Sequence, residues 1–201
     1  MRRPLWIVAA LLLPAVPAGA LGGWFEAFVY DRFALARGEV WRLLTGHWVH
    51  YSAGHLLADA AALLLGAGLV NERQTRAWLF TLSLAAGLIP VALWIGSPEL
   101  ARYGGLSGLA LATWTFAAAG LMRSSRRLGV SVFCLVAAKV LAESLTGQFG
   151  LADLPDGEVV PATLAHGVGA LVGIAGALWA GSGEKEGART AAARFRRGCP
   201  G

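Results

Sequence analysis

Charge is scarce in this chain. Asp, Glu, Lys and Arg make up 14% of its 201 residues, whereas 56% are hydrophobic, and the mean hydropathy is +0.59. Soluble domains carry roughly a quarter charged residues, so an ordinary soluble fold is excluded. Cysteine is nearly missing too. Cys134 falls in an apolar stretch and Cys199 in a polar tail, which argues against a structural disulfide and leaves no Cys-based metal spacing. Apolar and polar residues do not alternate in the segments of about ten that a membrane barrel requires.

What is present is a series of long apolar runs. A helical span needs roughly 20 such residues, and six stretches approach that length: Leu5 to Leu21, Trp48 to Val70, Ala77 to Ile95, Tyr103 to Met122, Leu128 to Leu145 and Pro161 to Ala180. The expected fold class is therefore an all-α membrane protein with a six-helix bundle over residues 1–181. A basic, flexible tail is expected over 182–201. The first run also resembles a signal peptide, with Arg2-Arg3 before it and Ala18-Gly19-Ala20 after it; five further spans and membrane-tolerated prolines favour retention as a helix.

The net charge of +5 does not point to nucleic acid, because the charges sort by side of the membrane. Twelve of the seventeen basic residues fall at the N-terminus, in the connections at 71–76 and 123–127, and in the tail. Most acids fall in the alternate loops. The positive-inside rule then places both termini in the cytoplasm. Short inner connections make consecutive helices antiparallel neighbours. The outer loop from Gly22 to His47 is long and aromatic, as suits the membrane boundary. The outer loop from Thr146 to Val160 is rich in Gly, Pro and acids and is expected to be irregular.

Two residues stand out as potential chemistry. Ser107 lies in Gly104-Gly105-Leu106-Ser107-Gly108, and His166 precedes Gly169 and Gly173 at i+3 and i+7. Counting from the outer ends of their spans at 1.5 Å per residue puts both about 6 to 8 Å deep. Short side chains can hydrogen-bond across helices only where the backbones approach, and the glycines supply that room. Glycine and serine are common packing residues in membrane helices; a buried histidine is rarer and usually functional. Shared depth and shared glycine framing favour a Ser-His pair, with His166 as base at neutral pH.

The other histidines, His47, His50 and His55, gather near the outer end of the second span. His55 and Asp59, at i+4, share a helix face. Three histidines and a carboxylate are metal-capable by residue type, but the His-Glu-x-x-His arrangement is absent, and neither a metal nor a cofactor is expected. His55 better suits donation to an oxyanion, beside backbone N–H groups near Ser107. In the fifth span, Lys139 and Glu143 are also at i+4. They are expected to form a salt bridge, with Lys139 as base of a Ser-Lys pair the less favoured alternative.

With these residues in place, the chain resembles the rhomboid family of intramembrane serine proteases over nearly its whole length. Gly105-Leu106-Ser107-Gly108 is similar to the family's Gly-x-Ser-Gly nucleophile motif, and Ala165-His166-x-x-Gly169-x-x-x-Gly173 to its base motif. Trp41-Arg42 resembles the pair of the first loop, and His50 and His55 the histidines leading the second span. The stretch from Trp41 to His50 resembles the rhombosortase branch. The resemblance implies a serine endopeptidase of the bacterial inner membrane whose site opens toward the periplasm. Ser107 and His166 would be catalytic, and His55, Gly105, Asp59 and His50 would bind oxyanion or substrate. It further implies, as substrates, exported proteins with a C-terminal Gly-Gly motif, a membrane helix and a basic tail, cut by hydrolysis or with transfer to a lipid amine. The alternatives are a rhomboid protease for other single-span substrates and a non-catalytic rhomboid-like helix binder. Two positions depart from the family: Asp59 stands where Asn is usual, and Leu111 where studied members have Tyr.

Overall fold

The computed structural model describes residues 3–17, 23–146 and 163–197. The chain begins with α1 (Arg3–Leu12) and the two-residue strand β1 (Val16–Pro17). The first long loop folds into α2 (Trp24–Phe28), β2 (Tyr30–Asp31), α3 (Arg32–Ala36), α4 (Arg42–Thr45), a 3-10 turn (Gly46–Trp48) and β3 (Val49–His50). There follow α5 (Ala53–Leu69), a 3-10 turn (Glu72–Gln74), α6 (Thr75–Gly96), β4 (Arg102–Tyr103), α7 (Ser107–Ser124), α8 (Arg126–Thr146) and α9 (Thr163–Arg197). The protein is an all-α membrane protein. Among the described residues, three helices are long and apolar enough to cross a bilayer, 72–96, 126–145 and 163–182, and α5 is a shorter apolar helix.

The centre is α7, which packs against α5, α6, α8 and α9. Beside the larger Leu109, Leu111 and Phe116, its buried residues include the small or weakly polar Gly108, Ala110, Ala112, Thr113, Thr115 and Ala117, which let neighbouring backbones come close. Trp78 Nε1 donates to Thr113 Oγ1 at 3.2 Å and Trp114 Nε1 to the Ala62 carbonyl at 2.9 Å. These bonds fix α6 and α5 against α7. On the α9 side, a Cβ at Gly169 would strike the Gly108 carbonyl, and one at Gly173 the Ala112 carbonyl and Thr115 Oγ1. The Thr115 hydroxyl donates across this seam to the Ala170 carbonyl at 3.0 Å, and near the C-terminal end of α7 Arg123 donates to the Ala177 carbonyl at 2.7 Å.

The structure differs from the sequence-based expectation at its N-terminal end. The first apolar run does not form one helix over Leu5 to Leu21. α1 stops at Leu12, a length of about 15 Å, because Pro14 and Pro17 remove N–H donors and bias the residues before them away from helix. The chain extends there instead, and Val16 and Pro17 pair in parallel with Val49 and His50. At the other end, α9 runs to Arg197, beyond Ala180, where the sixth apolar stretch ends. The helix-favouring Glu, Lys, Ala and Arg of that segment support its continuation. The expected loop over 146–160 falls almost wholly outside the described residues, as do the Ala18-Gly19-Ala20 segment and Cys199.

The first loop is tied to the segment leading into α7. β2 and β4 pair antiparallel, Tyr30 with Tyr103 and Asp31 with Arg102, and Gly105 N–H donates to the Gly46 carbonyl at 3.1 Å. Arg32 caps the end of α6: its guanidinium donates to the carbonyls of Leu93, Trp94 and Ser97 at 2.8 to 2.9 Å. Cations at a helix C-terminus satisfy carbonyls that the helix itself leaves open. Arg42, buried, holds the loop from within through the Glu26 and Val29 carbonyls and Glu39. Pro90 leaves the Ala86 carbonyl of α6 without its helical donor, and His47 Nε2 lies 3.1 Å from that oxygen. Burial pushes the His47 imidazole below its ordinary range, so it serves as a neutral donor.

Candidate active site

The turn before α7 places Ser107 at the first residue of the helix. Gly105 has φ of +125°, a conformation that side-chain-bearing residues rarely adopt, and a Cβ there would lie 2.9 Å from Asp59 Oδ2 and from the His55 ring. Gly104 is equally constrained, since its Cβ would fall 2.8 Å from the Val49 carbonyl. Both glycines are demanded by close approach. They let the chain reverse against α5 and β3 and deliver Ser107 with its N–H at a helix start, where the first N–H groups have no intrahelical acceptor.

His166, one turn into α9, sits across the glycine seam. Its Nε2 lies 2.8 Å from Ser107 Oγ. The imidazole is buried, 1% exposed, while Ser107 is partly open. On the far side of the ring, His166 Nδ1 lies 2.7 Å from Glu143 Oε2. Glu143, near the C-terminal end of α8, is itself buried, and its other oxygen pairs with Lys139. The expected Lys139–Glu143 salt bridge is present, but it accounts for only one carboxylate oxygen. The contact of Glu143 with His166 was missed in the sequence.

On the α5 side lies a second cluster. Asp59 Oδ2 accepts from the Leu106 N–H at 2.7 Å and is 3.2 Å from His50 Nε2 and 3.3 Å from His55 Nε2. All three side chains are buried. His55 is stacked on Tyr51 at 6.1 Å between centroids and meets His50 edge-on at 5.0 Å. Ser52 caps α5 by accepting from the His55 N–H, which sets the helix start so that His55 and Asp59 point inward together. The Asp59 carboxylate thus neither faces solvent nor stands alone, and it occupies an N–H next to the nucleophile. His47, in the 3-10 turn, instead meets the Ala86 carbonyl of α6.

The structure therefore brings Ser107, His166, His55, Gly105, Asp59 and His50 together around the N-terminal ends of α5, α7 and α9. Leu111, one turn below Ser107, is buried and apolar and offers the imidazole no hydrogen bond. A serine hydroxyl bonded to a histidine whose far nitrogen meets a carboxylate is chemically an activated-nucleophile arrangement. It lies in an all-α bundle whose apolar helices mark an integral membrane protein. A rhomboid-domain family model matches residues 37–182, so the chain belongs to the rhomboid family, whose members are in general intramembrane serine proteases acting on membrane proteins. A comparison with curated proteins finds no match.

Proposed function

We propose that the protein is an intramembrane serine endopeptidase in which Ser107 is the nucleophile and His166 the base. The observation that carries this reading is the 2.8 Å contact between His166 Nε2 and Ser107 Oγ inside an apolar bundle. His166 takes the hydroxyl proton as Ser107 Oγ bonds to a substrate carbonyl carbon. The tetrahedral intermediate collapses, the C–N bond breaks, and the same proton passes from Nε2 to the departing amine. Water then attacks the acyl carbon as His166 takes its proton, the Oγ–C bond breaks, and His166 returns that proton to Ser107 Oγ as the acid leaves. The N–H groups at the start of α7 lie where the helix is electropositive, and with His55 they are the donors proposed to hold the oxyanion. Asp59 is proposed to orient His55 and the Leu106 N–H, with Gly105 and His50 shaping the same wall.

The further reading concerns topology and substrate. The sidedness of the basic residues supports six spans with both termini cytoplasmic, and the family resemblance supports a bacterial inner membrane with the site toward the periplasm. The resemblance of Trp41 to His50 to the rhombosortase branch supports a substrate class: exported proteins carrying a C-terminal Gly-Gly signal, a membrane helix and a basic tail. The test is co-expression with such a substrate, scored by loss of its C-terminal tag. Cleavage is expected with the unmodified chain and absent with Ser107→Ala or His166→Ala. Undiminished cleavage with either variant would sink the Ser-His assignment; cleavage of single-span proteins lacking Gly-Gly at equal rate would remove the substrate class.

A further inference from the structure

We propose that Glu143 is a positioning residue for His166, locked by Lys139, so that the working unit is Ser107–His166–Glu143; this rests on the protease reading above. The hydrogen-bond inventory assigns the protons. Lys139 is a donor only and meets Oε1 of Glu143. With Oε1 accepting from the ammonium and Oε2 facing His166 Nδ1 at 2.7 Å, the carboxylate is an acceptor at both oxygens. Nδ1 then carries the imidazole proton. Nε2 is left with its lone pair toward Ser107 Oγ, the tautomer that a general base requires.

A plain structural salt bridge does not account for this arrangement. Lys139 and Glu143 satisfy each other within α8 at i+4, and nothing in that pair requires Oε2 to reach α9. α7 contributes only Leu111 one turn below the nucleophile, so the second nitrogen of His166 finds its partner on α8. The charges also balance at each stage. At rest, the ammonium of Lys139 cancels the Glu143 carboxylate beside a neutral imidazole. When the Ser107 proton moves to Nε2, the imidazolium formed is matched by the oxyanion formed, and Glu143 accepts no proton. Keeping the net charge at zero matters where burial makes an unmatched charge costly.

The test uses the full-length chain in detergent and the rate at which a fluorophosphonate labels it, a reaction that needs an activated serine but no peptide substrate. Glu143→Gln keeps the size and loses the charge; labelling should slow by about 10- to 1000-fold, in line with the large losses that follow when a histidine is held in the wrong tautomer. Glu143→Asp should recover part of the rate. Labelling of Glu143→Gln at the unmodified rate would overturn the proposal. A second measurement needs no variant fold: 15N-histidine spectra of the unmodified protein should show His166 protonated at Nδ1, and protonation at Nε2 alone would overturn the proposal equally. An unmodified chain that resists the label yet shows the Nδ1–H form would count against Ser107 as nucleophile while supporting the placement of Glu143.

Discussion

The α5 side and the α8 side of Ser107 each bring a buried carboxylate to histidine, and they are built in opposite ways. Asp59 concentrates its contacts on one oxygen, which meets His50, His55 and the Leu106 N–H. Its reach includes backbone, so it ties the shape of the turn before Ser107 to α5. Glu143 divides its contacts, one oxygen to Lys139 in its own helix and the other to His166 in α9. Both of those partners are side chains. The α5 carboxylate should therefore act mainly through geometry, and the α8 carboxylate mainly through the electronic state of the base.

The largest effect is expected where both sides depend on one feature, the seam between α7 and α9. Gly169→Val places a branched side chain against the Gly108 carbonyl, and the helices must separate. A displacement of about 1 Å at a reacting pair costs on the order of 100-fold in rate, and overpacking costs about 1 to 3 kcal/mol of stability. Both labelling by a fluorophosphonate and the thermal midpoint in detergent should fall; an unchanged rate would mean that seam spacing does not set the Ser107–His166 contact.

The two carboxylates can then be set against each other. Glu143→Gln should cost rate with little change in thermal midpoint, appearing in kcat rather than KM. Asp59→Asn should do the reverse. Its amide oxygen can still accept the Leu106 N–H, so the rate should change by less than about tenfold, while loss of a charge-assisted buried bond should cost about 1 to 2 kcal/mol of stability. If Asp59→Asn slows labelling as much as Glu143→Gln, the division between geometry and base tuning is wrong. The smallest effect belongs to Lys139→Met. Glu143 keeps its contact with His166, and because Lys139 is half exposed water can replace its ammonium on the carboxylate, so the rate should drop only about two- to fivefold.

Much of this site was legible before any coordinates. Ser107 and His166 are short side chains framed by glycine, and glycine at those spacings has a physical meaning that survives in the structure: Gly169 and Gly173 face backbone oxygens, and Gly105 adopts a positive φ. His55 and Asp59 were legible because an i+4 pair on one helix meets without tertiary knowledge. Glu143 was hidden by the same local logic. Its i+4 neighbour Lys139 balances its charge, so nothing along the chain signals a further partner 23 residues away. That contact depends on the rotation of α8 about its axis, which an apolar helix does not encode in its periodicity. The first helix was misjudged for another reason. Pro14 and Pro17 are tolerable inside a membrane helix, but β3 offered the chain an extended partner.

The central claim is that Ser107 is activated by His166, and adduct mapping tests it most directly. The purified chain is treated with a fluorophosphonate, digested and analysed by mass. The account predicts one phosphonylated residue, Ser107, with labelling absent in Ser107→Ala and slowed by more than about 100-fold in His166→Ala. An adduct on another residue, or labelling of Ser107 at the same rate without His166, would contradict it.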